Sequence, residues 1–273
     1  MRLPIRMLTP LFLVATSAAG VIAQQAMPTT QPSLLTIFIE EVKLGREAAH
    51  TANERGWPAA FAKAGAPETY LALESMTGPS EVWFVSPYAS YAAEGAAMKR
   101  NDADPVLSAE LDRLWREDAE FLVSARTIQL VARPDLSFGA FPDISKARFW
   151  DITTFRVRPG HEMQFDEAAK LYGEISKRLA PNTSFRVYMV SGGMPGGTFM
   201  VFSSVNDYAE FDQVLATGIA VGAGMTARER AVFEAFGREA EMSVITNRYR
   251  LSPDMAYVDA ATRAADPAFW NRK

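Results

Sequence analysis

One order of motifs occurs twice in this chain, and that repetition limits the available folds more than any single residue does. Leu34-Leu35-Thr36-Ile37-Phe38-Ile39, leading to Gly45-Arg46-Glu47, matches Phe149-Trp150-Asp151-Ile152-Thr153-Thr154, leading to Gly160-His161-Glu162. Val82-Trp83-Phe84-Val85-Ser86 before Tyr91-Ala92 matches Phe199-Met200-Val201-Phe202-Ser203 before Tyr208-Ala209. Asp118-Ala119-Glu120-Phe121 matches Glu239-Ala240-Glu241-Met242, and Pro134-Asp135-Leu136-Ser137-Phe138 matches Pro253-Asp254-Met255-Ala256-Tyr257. The offsets are 115, 117, 121 and 119 residues, in order. Such agreement indicates duplication.

Each copy reads β-α-β-β-α-β. Runs rich in Val, Ile, Phe, Tyr and Thr mark strands near 34–42, 68–77, 80–86 and 121–132, and again near 149–157, 184–191, 197–204 and 241–251. Helices are expected near 46–64, 88–120, 161–179 and 206–240. Thr77-Gly78-Pro79 and the Gly192–Gly197 run supply the turns between the middle strands. Phe165, Ala168, Ala169, Tyr172, Ile175 and Leu179 recur at helical spacing and define a stripe expected to be buried.

A βαββαβ unit is a ferredoxin-like fold, an α+β arrangement with a four-stranded antiparallel sheet and both helices on one face. The bare face must be covered. Two tandem copies can do this by packing their sheets face to face about a pseudo-twofold axis. In this the chain resembles the dimeric α/β-barrel superfamily. The start of each copy is similar to its NIPSNAP-type members, most closely at Val157-Arg158-Pro159-Gly160-His161-Glu162, which leads from a strand into a helix. The resemblance covers residues 34–257 and divides the chain into repeat 1 (34–132), a linker (133–148), repeat 2 (149–257) and a C-terminal tail (258–273). It implies a scaffold on which some members bind haem through an axial histidine and others act as cofactor-independent oxygenases on aromatic substrates. No catalytic signature of that superfamily is recognisable here.

Arg2 and Arg6 precede an uncharged, mostly apolar run, Leu8 to Ala23, and Val21-Ile22-Ala23 fits a signal-peptidase site. The expectation is a leader over residues 1–23 and a periplasmic or secreted product with no stable membrane span. Without Arg2 and Arg6 the formal net charge moves from −4 to −6, so nucleic acid is not an expected partner. With no cysteine, disulfides, thiol nucleophiles and cysteine-type metal sites are excluded.

Only two histidines occur, His50 and His161. His161 follows Gly160 at a helix start and reads as a solvated residue. His50 aligns with Phe165, on the expected buried stripe, where a polar ring needs a hydrogen-bond partner or a ligand. We therefore take His50 as the candidate catalytic residue, a proton acceptor or ligand contact between helix and sheet. Glu54 flanks it and Trp57 shares its face. Glu74 and Arg126 align with Met189 and Asn247, placing charges in copy one where copy two is neutral. Tyr70 and Trp83 supply aromatic walls, so Glu54, Trp57, Tyr70, Glu74, Trp83 and Arg126 are the expected ligand-binding set. No metal site and no cofactor are expected, with haem a remote alternative. The glycine runs lack the Lys-Ser/Thr of a phosphate loop, Asp102 and Asp104 lack calcium-loop spacing, and no Gly-x-Ser-x-Gly elbow occurs. The expected function is small-molecule binding or interaction on the barrel scaffold, with a homo-oligomer allowed. The alternative is a cofactor-independent, oxygenase-like enzyme acting on a small aromatic substrate.

Overall fold

β-branched and aromatic runs form eight strands in the computed structural model, which describes residues 24–271; the expected leader over residues 1–23 lies outside the described residues. The first half contributes β1 (Leu34–Val42), β2 (Leu71–Ser75), β3 (Glu81–Tyr88) and β4 (Leu122–Ala132). The second contributes β5 (Phe149–Val157), β6 (Arg186–Gly192), β7 (Thr198–Val205) and β8 (Glu241–Leu251). All ladders are antiparallel, and the strands close in the order β1-β3-β2-β8-β5-β7-β6-β4. Each half keeps the ferredoxin-like order, and the two sheets join at their edges. Leu73 pairs with Leu251 across the β2–β8 seam, and Leu130 with Val190 across the β4–β6 seam. Closure leaves no unpaired strand edge, and one chain completes the barrel.

Strand alternation decides what each side chain can reach. In β1, Leu35, Ile37 and Ile39 point into the barrel, where they meet Val85 and Trp83 of β3 in register. Thr36, Phe38 and Glu40 point out toward the helices. Thr36 Oγ1 donates to Glu94 Oε1 at 2.5 Å, and the Phe38 ring lies 5.7 Å from that of Trp115. The interior is packed with apolar and aromatic side chains, among them Ile128, Ile152 and Tyr249 at 0–1% exposure.

In the first half the helical layer comprises α1 (Glu47–Glu54), α2 (Gly56–Ala64), α3 (Tyr91–Ala103) and α4 (Pro105–Asp118). The single helix expected near 46–64 is broken, because Pro58 has no N–H to offer the Glu54 carbonyl. Gly56 at the break lets α4 approach: a Cβ there would lie 2.4 Å from Leu114 Cδ2. α4 starts at Asp104, whose side chain accepts from the Val106 and Leu107 amides, with Pro105 in the first turn.

The second half adds α5 (Glu162–Leu179), α6 (Glu210–Gly224) and α7 (Ala227–Glu239). α5 buries Phe165, Ala168 and Ile175 as expected, but Tyr172 stays 39% exposed. Its ring sits at the edge of the helix layer, touching Phe185 and Phe233. The C-terminal segment carries α8 (Ala260–Ala265) and α9 (Pro267–Trp270) and folds back on the barrel. Asp259 accepts from the Met27 amide at 2.8 Å, and Trp270 Nε1 donates to the Ser145 carbonyl at 3.1 Å.

Candidate functional site

The break between α1 and α2 and the end of α4 bring four ionisable side chains together beneath the helix layer of the first half. Glu40 comes from the outward register of β1, His50 and Glu54 from one face of α1, and Asp118 from the last turn of α4. Their exposures are 1%, 1%, 2% and 0%. His50 Nε2 lies 2.8 Å from Glu40 Oε2 and 3.7 Å from Asp118 Oδ1. One donor atom from each of the four lies within 4.8 Å of one from every other. Asn53 Nδ2 donates to the Leu114 carbonyl at 3.1 Å and reaches Asp118 Oδ1 at 3.4 Å. Glu54 Oε1 and Asp118 Oδ2 are buried with no hydrogen bond of ordinary geometry among the described residues.

Burial dominates the electrostatics. It pushes the Glu40 carboxyl up to about 7, against a hydrogen bond with Asp118 that favours the charged form. It likewise raises Asp118 to about 7, helped by the Glu40 charge and opposed by His50. Glu54 goes up to about 10, first through burial and then through the neighbouring Glu40 and Asp118 charges, against an interaction with the Trp57 indole that favours the charged form. The His50 imidazole is pushed down by burial, against the attraction of Asp118 and Glu74. Near neutrality, then, three carboxyls and a neutral ring hold less charge than the same groups would in water.

A second feature lies at one end of the barrel. An apolar recess with a free volume of about 60 Å³ is walled by Leu35, Leu71, Leu73, Val85, Trp150 and Phe202, with Met27, Phe141 and Ile144 closing over it. The Trp150 indole N–H and Arg186 Nε, both from residues that line the recess, are buried without partners.

The structure divides the expected ligand-binding set. His50 and Glu54 belong to the buried cluster. Trp57 packs among Ala60, Leu107 and Leu114, and Tyr70 stands on the same side of the sheet against Phe61, Phe84 and Tyr257. The Tyr70 hydroxyl is buried without a partner among the described residues, and the buried Trp57 indole lies near Glu54. Glu74 shares the helix-facing register but is ion-paired with Arg250 at the rim. Trp83 and Arg126 do not join His50. Both point into the barrel, where Trp83 Nε1 donates to Glu81 at 2.8 Å and Arg126 pairs with the same carboxylate at 2.7 Å. Their inward register separates them from the helix face by the thickness of the sheet.

Sequence reasoning missed Glu40 and Asp118. A signal existed for Glu40, which aligns with Phe155. In copy two Phe155, Phe165, Phe199 and Phe236 form a stacked group, with Phe165 and Phe199 4.0 Å apart, where copy one has Glu40, His50, Val82 and Trp115. Sequence reasoning expected no metal site and did not anticipate that a histidine and three carboxylates would come within mutual reach.

Neither a protein-family model nor a curated protein matches the chain. Solved structures do. A monooxygenase-like protein from Lactobacillus acidophilus NCFM is similar at TM-score 0.51 and 10% identity, covering 84% of this chain and 97% of that one. A NIPSNAP domain protein from Burkholderia xenovorans is similar over 37% of this chain and 95% of its own, at 18% identity and TM-score 0.30. A haem-binding protein from Thermus thermophilus is similar at TM-score 0.46 and 11% identity, covering 85% of this chain and 97% of its own. The expectation of no cofactor is corrected: a haem-binding protein is among the solved structures similar to this chain. Haem itself does not fit the residues present. His50 is enclosed by carboxyls with no room for a macrocycle at its 1% exposure, and neither histidine lines the barrel-end recess. The fold is a dimeric-type α/β barrel, closed within a single chain.

Proposed function

We propose that the chain is a small-molecule-binding protein whose ligand enters the end of the barrel. The observation that carries this reading is the apolar recess beside Trp150, whose buried indole N–H has no partner. Apolar walls with a few placed polar groups are the usual make-up of a small-ligand site. A free volume of about 60 Å³ admits the edge of a small aromatic molecule, with one acceptor for Trp150 and Arg186 at the rim. The oxygenase alternative centred on His50 is not favoured, because three carboxyls enclose that ring and it lines neither the barrel-end recess nor the groove between α1 and α4.

Export and self-association belong to the same proposal. Arg2, Arg6 and the uncharged run to Ala23 support export. The exposed Leu215 and Ile219 of α6, each 65% exposed, support assembly of copies. No helix among the described residues is long and apolar enough to cross a membrane.

Native mass spectrometry of the chain expressed in a bacterium tests all three parts, showing a mature start at Gln24, the assembly state and any co-purified ligand. Calorimetric titration with 1-naphthol and benzaldehyde tests the site itself. Trp150→Phe is expected to weaken binding by roughly fivefold to tenfold, the worth of one hydrogen bond, and Leu35→Trp to abolish it by filling the recess. Absence of both a co-purified ligand and binding of either compound would overturn the reading.

A further inference from the structure

We propose that Glu40, His50, Glu54 and Asp118 form a binding site for one divalent first-row transition ion of the zinc, manganese or ferrous class. This site is independent of the barrel-end recess and lies on the other side of the sheet.

Three other buried acids are treated differently, and Glu68, which also has one buried oxygen without a partner, is ion-paired with Arg100 through the other. Glu94 has Thr36 on one oxygen and Gln129 on the other. Glu81 has Trp83 and Arg126. Asp259 accepts from Met27, Ala261 and both the amide and hydroxyl of Thr262. Each of those three is satisfied at both oxygens. Glu54 Oε1 and Asp118 Oδ2 make no hydrogen bond of ordinary geometry among the described residues, although their residues are 98% and 100% buried and both belong to the four-group cluster, with Trp57 near the one and Glu40 near the other. Buried polar groups are ordinarily hydrogen-bonded or bound to metal, and no Lys or Arg pairs with any member of the cluster among the described residues.

Nor does the fold require polar groups at this position. Copy two has Phe155 and Phe165 where copy one has Glu40 and His50, packed with Phe199 and Phe236, and Ala169 where copy one has Glu54; only Asp118 has an acidic counterpart, Glu239. The same architecture therefore closes with apolar residues at three of the four positions, and copy one keeps ionisable groups there that packing does not demand.

The geometry suits a small ion. Nitrogen and oxygen ligands about 2.1 Å from a common metal stand about 3–4 Å from one another. The 2.8 Å and 3.7 Å separations from His50 lie in or near that range, and the 4.8 Å upper bound is closed by side-chain movements of under about 1 Å. One imidazole with three carboxylates and no thiolate suits zinc, manganese or ferrous iron. Calcium, which takes six to eight oxygens, fits an imidazole-containing set poorly. A surface groove between α1 and α4 is lined by Asn53, Gly56, Glu117 and Glu120, and the Asn53 amide stands between that groove and Asp118, so an ion would enter by displacing that side chain.

The test uses the full chain, purified, stripped with EDTA and then titrated separately with zinc and manganese chloride. Bound metal is counted by plasma mass spectrometry, and affinity is read by calorimetry. The expected result is one ion per chain, with Glu54→Gln and His50→Gln each weakening binding by roughly a hundredfold while His161→Gln, far from the cluster, leaves it unchanged. Cobalt(II) loaded into the parent protein gives a second readout that needs no variant, a visible d–d band of a low-coordinate site that zinc displaces. Failure of the stripped parent to bind any of the three ions would overturn the proposal. Binding lost with His161→Gln, or retained with Glu54→Gln, would overturn it equally.

Discussion

Exchanging His50 for phenylalanine, the residue copy two uses, isolates the energetics of the buried cluster. In the parent, His50 Nε2 and Glu40 Oε2 meet at 2.8 Å with both residues 1% exposed. His50→Phe removes the partner and strands the Glu40 carboxyl, at a cost of about 1–3 kcal/mol. Glu40→Leu strands the imidazole instead, at a cost of similar size. Made together, the two substitutions leave neither group unsatisfied and approach the Phe155–Phe165 contact of copy two, whose rings are 5.4 Å apart. The double variant is therefore expected to be more stable than the sum of the two losses predicts, with a coupling of about 2 kcal/mol. Urea unfolding of the four proteins at pH 7.5 with EDTA present measures it, provided the slopes agree. Losses that add to within about 0.5 kcal/mol would refute the reasoning and show that the contact holds nothing together.

Gly193 has φ +81°, and a Cβ there would lie 2.2 Å from the Thr127 carbonyl oxygen. Gly193→Ala is expected to lower stability by about 2–4 kcal/mol, combining left-handed strain with overpacking. Gly160→Ala, at φ +87° with nothing within 4 Å, is expected to cost only about 1–2 kcal/mol by thermal unfolding. Asp259 is under a burial effect that alone would raise its pKa, but hydrogen bonds from Met27, Thr262 and Ala261 outweigh it and hold the carboxyl below its usual value. Its ionised form thus stabilises the fold at pH values above the unfolded value of about 3.9, and the contribution is lost as pH falls through the lower folded value. Asp259→Asn should cost about 1 kcal/mol at pH 6 and progressively less below about pH 4, by urea midpoints. A gap that stays constant with pH would contradict that assignment.

The duplication, the strand order within each half and the covering of one sheet by the other were legible, because repeat spacing and period-two patterning are properties of the chain itself. The break of the first helix was also written in the sequence, at Gly56-Trp57-Pro58, but its consequence was not. Only the contact of Gly56 with Leu114 shows that α4 comes close enough to deliver Asp118 beneath His50. Asp118 carried no asymmetry to draw attention, since copy two has Glu239 at the matching place. Trp83 and Arg126 were set on the wrong side by one step of register. Val82 faces the helices and Trp83 faces the barrel, and a run of apolar residues as continuous as Val82–Val85 does not reveal which parity points where. The recess beside Trp150 depends on Met27 and Phe141, both outside the strands, whose positions local pattern does not determine.

Having both halves in one polypeptide changes what substitution can achieve. In a barrel assembled from two identical subunits, every amino-acid change appears on both sides of the axis, so an acidic group placed under one set of helices is necessarily placed under the other. Here the strand seams are joined through a continuous backbone, and each half varies independently. One can remain a rigid phenylalanine-filled support while its sister carries the groups that are costly to bury. The covalent link thus halves the penalty of any such innovation and confines its damage, if it fails, to one side of the molecule.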